Sequence, residues 1–256
     1  MQDLKLTLVQ ADQIWEDKNA NFKNYERLLT GIESDLIILP EMFQTGFSMN
    51  TEHLSEAFSA SESIAWLQQM AKKLNAAFYT SLMIKEGDNV FNRGVFVQPD
   101  GQVLHYDKRK TFSLAGEDKF IQRGNKETIV DYKNWKIQLQ VCYDLRFPEI
   151  VRNRIESNQK PAYDLILYVA NWPEKRALHW SSLLKARAIE NQCYVVGVNR
   201  VGIDNNTFSY SGNSMIVNAL GKCEELTPHK EHIKTVALNF EELNELRETL
   251  PFLIDR

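Results

Sequence analysis

Two short apolar segments, nearly copies of each other, constrain the fold of this 256-residue chain more than any other feature. Residues 35–39 read Asp-Leu-Ile-Ile-Leu, and residues 164–168 read Asp-Leu-Ile-Leu-Tyr. Fully apolar runs of this length are typical of strands in sheets that are covered on both faces or packed in a sandwich. The repetition predicts two related halves, each a sheet with helices on one side, packed sheet to sheet. Chance similarity of two buried strands is the alternative.

The periodicity of the remaining chain predicts the elements around these two strands. Apolar residues recur at helical spacing in 19–32, 61–74, 147–156, 174–192 and 241–249. In the fourth of these helices the residues expected to face inward are Leu183, Leu184, Ala188 and Ile189. Further strands are predicted at 4–10, 76–84, 90–98, 103–106, 128–132, 135–141, 194–198, 214–218, 222–226 and 233–238. We therefore expect an α/β fold, a four-layer α-β-β-α sandwich of two mixed sheets, as a single domain over residues 1–256.

Charge and cysteine content exclude several classes of protein. The net charge of −4 provides no basic field for nucleic acid, and three cysteines are too few and too scattered for a disulfide framework or a zinc knuckle. The N-terminus lacks a basic segment followed by an apolar one, and the longest apolar runs are too short to span a bilayer. These features predict a cytoplasmic globular protein without nucleic-acid or membrane partners.

Cys142 lies where the strand pattern of residues 135–141 stops. Pro148, shortly after it, suits the first turn of a helix, so the thiol is expected at a strand-to-helix turn. A thiol at such a turn can be exposed at the edge of a sheet, near backbone N–H groups that stabilise an oxyanion. The alternative is a small buried hydrophobic residue with no chemistry.

A catalytic cysteine needs a base or a cation, because only about 3% of a free thiol is ionised at pH 7. Glu41 follows an apolar strand and can act as a base if it is buried, whereas a surface turn is the alternative. Lys108 begins a long irregular stretch, 107–126, and is either a catalytic cation or part of a solvated charge cluster. His179, on the helix predicted at 174–192, is the candidate for a Cys–His pair.

Three segments together resemble the signature segments of the nitrilase superfamily of carbon–nitrogen hydrolases. They are Leu-Pro-Glu-Met-Phe-Gln-Thr-Gly-Phe (39–47), Tyr-Asp-Lys-Arg-Lys-Thr-Phe (106–112) and Val-Cys-Tyr-Asp-Leu-Arg-Phe-Pro-Glu (141–149). The resemblance covers nearly the whole chain, and the third segment, with Asn-Trp-Pro (171–173), is most similar to the omega-amidase branch.

The resemblance implies a role for each of these residues. Glu41 would be the general base, Lys108 the oxyanion stabiliser and Cys142 the nucleophile. Glu117, in Ala-Gly-Glu-Asp, resembles a second glutamate that positions the lysine and the substrate. The chain departs from many relatives at Lys110, where they have histidine.

The implied reaction is hydrolysis of a small carboxylated omega-amide, such as alpha-ketoglutaramate, to the acid and ammonia through a thioester. The backbone N–H of Tyr143 would join Lys108 at the oxyanion, and no metal, nucleotide or redox cofactor is needed. We expect Arg176 to bind the substrate carboxylate, with Phe43 and Trp172 as apolar walls. The resemblance also implies a homodimer formed through residues 147–156 and 251–256.

Three alternatives remain open at this stage. The enzyme could act on other amides, on carbamoyl amides or on nitriles. A metal-dependent phosphoesterase on a similar sandwich would use Asp144, Asp164, Asn171 and His179 as ligands, although these lack compact spacing. A noncatalytic binding or assembly module that retains the fold is the third.

Overall fold

The computed structural model describes residues 2–255, whose strands form two large mixed sheets and one small hairpin sheet. The strands are β1 (Leu4–Gln10), β2 (Leu36–Ile38), β3 (Glu56–Ala57), β4 (Ala77–Glu86), β5 (Asn89–Val97), β6 (Val103–Asp107), β7 (Ile129–Tyr132), β8 (Trp135–Val141), β9 (Leu165–Ala170), β10 (Tyr194–Asn199), β11 (Val201–Ile203), β12 (Ser209–Ser211), β13 (Met215–Val217), β14 (Cys223–Glu225) and β15 (His232–Leu238). The α-helices are α1 (Lys18–Leu28), α2 (Thr51–Leu54), α3 (Glu62–Leu74), α4 (Ala177–Asn191) and α5 (Phe240–Thr249). None of these helices is both long enough and apolar enough to cross a membrane.

Each large sheet is built around three parallel strands. The first sheet has the order β15-β1-β2-β4-β5-β6, with β3 beside β4, and its strands β1, β2 and β4 are parallel. The second has the order β14-β13-β10-β9-β8-β7, with β8, β9 and β10 parallel. The two near-identical segments of the sequence are therefore the central strands of the two parallel cores, β2 and β9.

The aspartate that precedes each central strand makes the same contacts in both sheets. The backbone N–H of Asp35 donates to the Lys5 carbonyl at 2.7 Å, and the Asp35 carboxylate accepts from the Lys5 N–H at 2.9 Å. Asp164 does the same with Lys136, at 2.8 and 3.1 Å. This shared geometry supports the interpretation of two related halves over chance similarity.

The layers follow from the faces that each element buries. The inner faces of the two sheets share one cluster, in which Leu6 and Ile38 of the first sheet join Ile137 and Leu139 of the second. Helices α1 and α3 cover the outer face of the first sheet, and α4 covers that of the second. Helix α4 approaches so closely that a Cβ on Gly197 would lie 2.5 Å from Leu184. The expected four-layer sandwich is confirmed.

Two expectations about local structure are wrong, and one element was not predicted. Residues 147–156 form only one 3₁₀ turn, Pro148–Ile150, because the Asn153 side chain donates to the backbone of Tyr163 and Asn191 and holds the chain away from a helix. Ile189, expected inward on α4, is 52% exposed. The hairpin β11–β12 was missed, since its strands have three residues each and give no clear period.

Candidate active site

The carboxyl ends of the two central strands meet at one end of the sandwich. Glu41 follows β2, and Asn171 directly follows β9. The Asn171 N–H donates to Glu41 Oε2 at 2.9 Å, and its side-chain amide donates to the Glu41 carbonyl at 2.6 Å. Glu41 is fully buried. The glutamate is therefore fixed inside the protein and does not cap a surface turn.

Lys108 is the cation of this buried cluster. It follows β6, and its ammonium donates to Glu41 Oε1 at 3.0 Å and to the two Glu117 oxygens at 2.9 and 3.0 Å. All three side chains are fully buried, so Lys108 does not belong to a solvated charge cluster. The long loop after β6 thus brings Glu117 onto the same lysine as Glu41.

Asn92, on β5, is part of the site although the sequence reasoning did not identify it. Its side-chain amide donates to the Glu41 carboxylate at 2.8 Å and to the Glu117 carboxylate at 3.1 Å. Its backbone carbonyl accepts from the Lys108 backbone N–H at 2.9 Å. One residue therefore fixes both carboxylates and the backbone of the lysine. No local pattern singles Asn92 out, because the polar Arg93 follows it directly in the same strand.

Cys142 begins a 3₁₀ turn, Cys142–Arg146, immediately after β8. Its φ of 44° lies in the left-handed region, which is uncommon for a residue with a side chain and is often found at functional sites. Its Sγ lies 4.0 Å from the Asn171 carbonyl oxygen, and the same Asn171 donates to Glu41 through its N–H and its side-chain amide. The strand end predicted for Cys142 is confirmed, and the thiol reaches the cluster of Glu41 and Lys108.

The charges of the cluster determine the protonation of its members. Burial raises the pKa of the Cys142 thiol well above its ordinary value, and the Glu41 charge adds to this, while Lys108 opposes it. Burial by itself would lower the pKa of Lys108, but the carboxylates of Glu117 and Glu41 reverse that effect and raise it. The resting site therefore holds a neutral thiol beside a charged lysine.

A cavity of about 570 Å³ opens onto this cluster. Three predicted substrate-binding residues, Tyr143, Trp172 and Arg176, line it together with Lys108 and Cys142. Phe43 does not: it is fully buried in the aromatic core with Phe22, Tyr25 and Trp66. The expectation for Phe43 is wrong, and Phe47 provides an aromatic wall instead.

Arg146 is a second guanidinium in this cavity that the sequence reasoning missed. It stacks 4.6 Å above the Trp172 ring, while Arg176 lies 5.3 Å above Phe112. Burial lowers the pKa of Arg146, and the nearby charge of Arg176 lowers it further. Neither arginine forms an ion pair with a carboxylate in the part of the chain that the structure describes, residues 2–255. The cavity therefore offers two uncompensated positive charges.

The four ligands suggested for a metal site do not converge. Asp164 precedes β9 and Asn171 follows it, so the length of the strand, about 20 Å, separates them. Asp164 is paired with Arg247 at 2.7 Å, and His179 contacts Arg146 at 3.3 Å. Across the described residues, no three His, Cys, Asp or Glu side chains are grouped to hold a metal ion.

Comparison with known proteins agrees with this arrangement of residues. Residues 5–248 match the family model for carbon–nitrogen hydrolases. The chain belongs to the carbon–nitrogen hydrolase family. The predicted membership of the nitrilase superfamily, in its omega-amidase-like branch, is thereby confirmed, as is the enzyme class, an amidase acting on non-peptide carbon–nitrogen bonds.

Individual members of the carbon–nitrogen hydrolase family match almost from end to end. The omega-amidase YafV of Yersinia enterocolitica is 44% identical, over 100% of this chain and 97% of that protein. A 2-oxoglutaramate amidase of Paenarthrobacter nicotinovorans is 33% identical, over 96% of this chain and 85% of that protein. The structure of XC1258 from Xanthomonas campestris, which carries an arsenic adduct in its active site, superposes with a TM-score of 0.97 at 39% identity, covering 100% of this chain and 98% of that one.

Proposed function

We propose that this amidase hydrolyses the terminal amide of small omega-amides that carry a carboxylate, such as alpha-ketoglutaramate, to the acid and ammonia. The observation that carries the proposal is one cavity lined by Cys142 and by Lys108, whose ammonium donates to the buried Glu41, together with two guanidinium groups that form no ion pair within residues 2–255. The names of the two relatives, an omega-amidase and a 2-oxoglutaramate amidase, support the same substrate class.

Acylation begins with transfer of the Cys142 proton to Glu41 as sulfur attacks the amide carbon. This transfer leaves the net charge of the buried cluster unchanged, because the new thiolate replaces the carboxylate charge of Glu41. The oxyanion forms beside the Lys108 ammonium and the backbone N–H of Tyr143, which lies in the first turn of a 3₁₀ helix. Backbone N–H groups at such a terminus lack intrahelical acceptors, so this one is available to the oxyanion.

Release of ammonia and deacylation use the same carboxylate. Glu41 returns its proton to the departing nitrogen, and the carbon–nitrogen bond breaks to leave a thioester on Cys142. Glu41 then takes a proton from water as the water oxygen attacks the thioester carbon. The carbon–sulfur bond breaks to release the acid, and Glu41 returns the proton to the Cys142 sulfur. Glu117 and Asn92 keep Lys108 and Glu41 in place through both steps. Every proton transfer is made by residues of this cluster.

Recognition of the carboxylate is assigned to Arg176 and Arg146. Converting Arg176 to glutamine should raise the KM for glutaramate about tenfold or more, because a charge-assisted hydrogen bond contributes roughly 1.5–3 kcal/mol. The KM for pentanamide, which has the same length but no carboxylate, should change less than twofold. Ammonia release measures both substrates.

The matched control is Arg152→Gln, since Arg152 is exposed and does not line this cavity. It should leave both KM values unchanged. An equal loss for glutaramate and pentanamide in Arg176→Gln would refute carboxylate recognition by this residue and leave the amidase chemistry intact.

We also propose a cytoplasmic homodimer. Residues 2–255 contain no disulfide bond, which supports a reducing compartment. The dimer is supported by the tail predicted to form the interface, residues 251–256. There Phe252 is 59% and Ile254 is 67% exposed, although Leu253 packs on the chain itself. Arg256 lies outside the described residues. Sedimentation should give twice the mass of the chain, and Phe252→Glu with Ile254→Glu should shift it toward the monomer. An unchanged sedimentation coefficient would exclude this tail from the interface.

A further inference from the structure

Asp144 is a buried carboxylate that the proposed mechanism does not use. It lies two residues after Cys142, is fully buried, and forms no ion pair within residues 2–255. Placing a carboxylate in the interior without a paired cation is costly, and burial raises the pKa of Asp144 to about 7. The fold keeps a destabilising group directly beside the proposed nucleophile.

The partners of Asp144 come from both sides of the active site. One oxygen accepts from the Val141 N–H at 3.0 Å, directly before Cys142, and from the Tyr106 hydroxyl at 3.0 Å. The other accepts from the Lys110 N–H at 2.9 Å. Tyr106 and Lys110 are the residues two before and two after Lys108. One carboxylate thus connects the turn of the nucleophile, on the second sheet, with the segment of the catalytic lysine, on the first.

We propose that Asp144 is a positioning residue that sets the distance between Cys142 and Lys108. The inference rests on the proposed function of those two residues and adds a requirement to it. If the carboxylate released either backbone N–H, the left-handed Cys142 turn and the Lys108 segment could move independently. The oxyanion would then form away from the ammonium, and a displacement of about 1 Å can reduce a rate about a hundredfold.

The test compares Asp144→Asn with Tyr106→Phe. The asparagine retains an acceptor but cannot accept all three hydrogen bonds, so kcat for glutaramate should fall about 10- to 100-fold while KM changes less than threefold. The phenylalanine removes one donor and leaves both backbone contacts, so its kcat should fall less. Alkylation of Cys142 by iodoacetamide should slow about fivefold in Asp144→Asn, because the thiol moves away from its base.

The pH dependence of the free energy of unfolding reports on the ionisation of Asp144 itself. Between about pH 4 and pH 7 the folded protein keeps a proton on Asp144 that the unfolded chain has lost, so the free energy of unfolding falls as the pH rises through this window. The ionisable side chains that interact with Asp144 are Lys108, Tyr79, Tyr106 and Tyr168. In Asp144→Asn this decline should be absent.

The outcomes separate the inference from the function on which it rests. A folded Asp144→Asn variant with unchanged kcat and unchanged alkylation would overturn the positioning role, even if its stability changed. Failure of the proposed function would instead leave Cys142→Ala active. If Asp144→Asn does not fold, the smaller Asp144→Ser decides, because one hydroxyl cannot accept from both the Val141 and the Lys110 N–H. A drop in its kcat without a change in KM supports the inference, and unchanged kcat and alkylation rates contradict it.

Discussion

Replacing Cys142 with alanine should reduce kcat/KM for alpha-ketoglutaramate by at least about 10⁴-fold, or roughly 5 kcal/mol of transition-state stabilisation. In the proposed mechanism the Cys142 sulfur bonds to the substrate carbon, and no other thiol lines the cavity formed by the described residues. Without it, Glu41 and Lys108 can still polarise the amide, but only water is present to attack. Ammonia release at substrate concentrations well below KM measures the loss.

Cys223→Ser is the control for this substitution. Cys223 is exposed on β14 and does not line the cavity, so its loss should leave the rate within twofold of the original enzyme. Because alanine fills less space than cysteine at a site that is already partly open, Cys142→Ala should fold normally. Undiminished turnover by a folded Cys142→Ala protein would show that the thiol is not the nucleophile.

Replacing Lys108 with methionine should have two large effects at once. The rate constant kcat should fall about 10³-fold, because the oxyanion loses its charged donor in a largely buried site. The free energy of unfolding should fall by about 3–5 kcal/mol, because Glu41 and Glu117 are left buried beside each other without their cation. Urea denaturation followed by circular dichroism measures the second effect.

Lys110→Met provides the matched control two residues along the same loop. The Lys110 ammonium pairs at 3.2 Å with Glu149, a half-exposed partner, and such surface pairs contribute at most about 1 kcal/mol. The control should therefore keep its rate within threefold and nearly all its stability. If Lys108→Met retained more than a tenth of the rate, the ammonium would not be the oxyanion donor.

The positions of Glu41, Lys108 and Cys142 at the ends of strands could be predicted from local sequence, but their proximity in space could not. Glu41 and Cys142 each follow a recognisable strand, and Lys108 begins a loop too long to be a simple connection. Strand periodicity says nothing about which strand ends are neighbours in space. Only the combined resemblance of three ordered segments implied that residues 41, 108 and 142 share one site, and the structure brings them together.

The wrong assignment of Phe43 and the omission of Asn92 show which features of the site local sequence does not encode. Phe43 and Phe47 are both aromatic residues after β2, and the turn between them decides which one faces the cavity. Met42, directly before Phe43, has a φ of 46°, and Gly46, directly before Phe47, has a φ of 72°, so the chain changes direction before each ring and Phe43 is buried in the core. Asn92 was missed because its partners Glu41 and Glu117 are 51 and 25 residues away in sequence. Neither contact has a local signature.

The most direct test of the central claim is detection of the thioester itself. The enzyme would be mixed with excess glutaramate, quenched in acid within the first turnovers, digested, and analysed by mass spectrometry. We expect the glutaryl group on the peptide that contains Cys142, appearing before steady state and lost on hydroxylamine treatment. Steady turnover with no acyl group on that peptide, or with the group on another residue, would contradict the account.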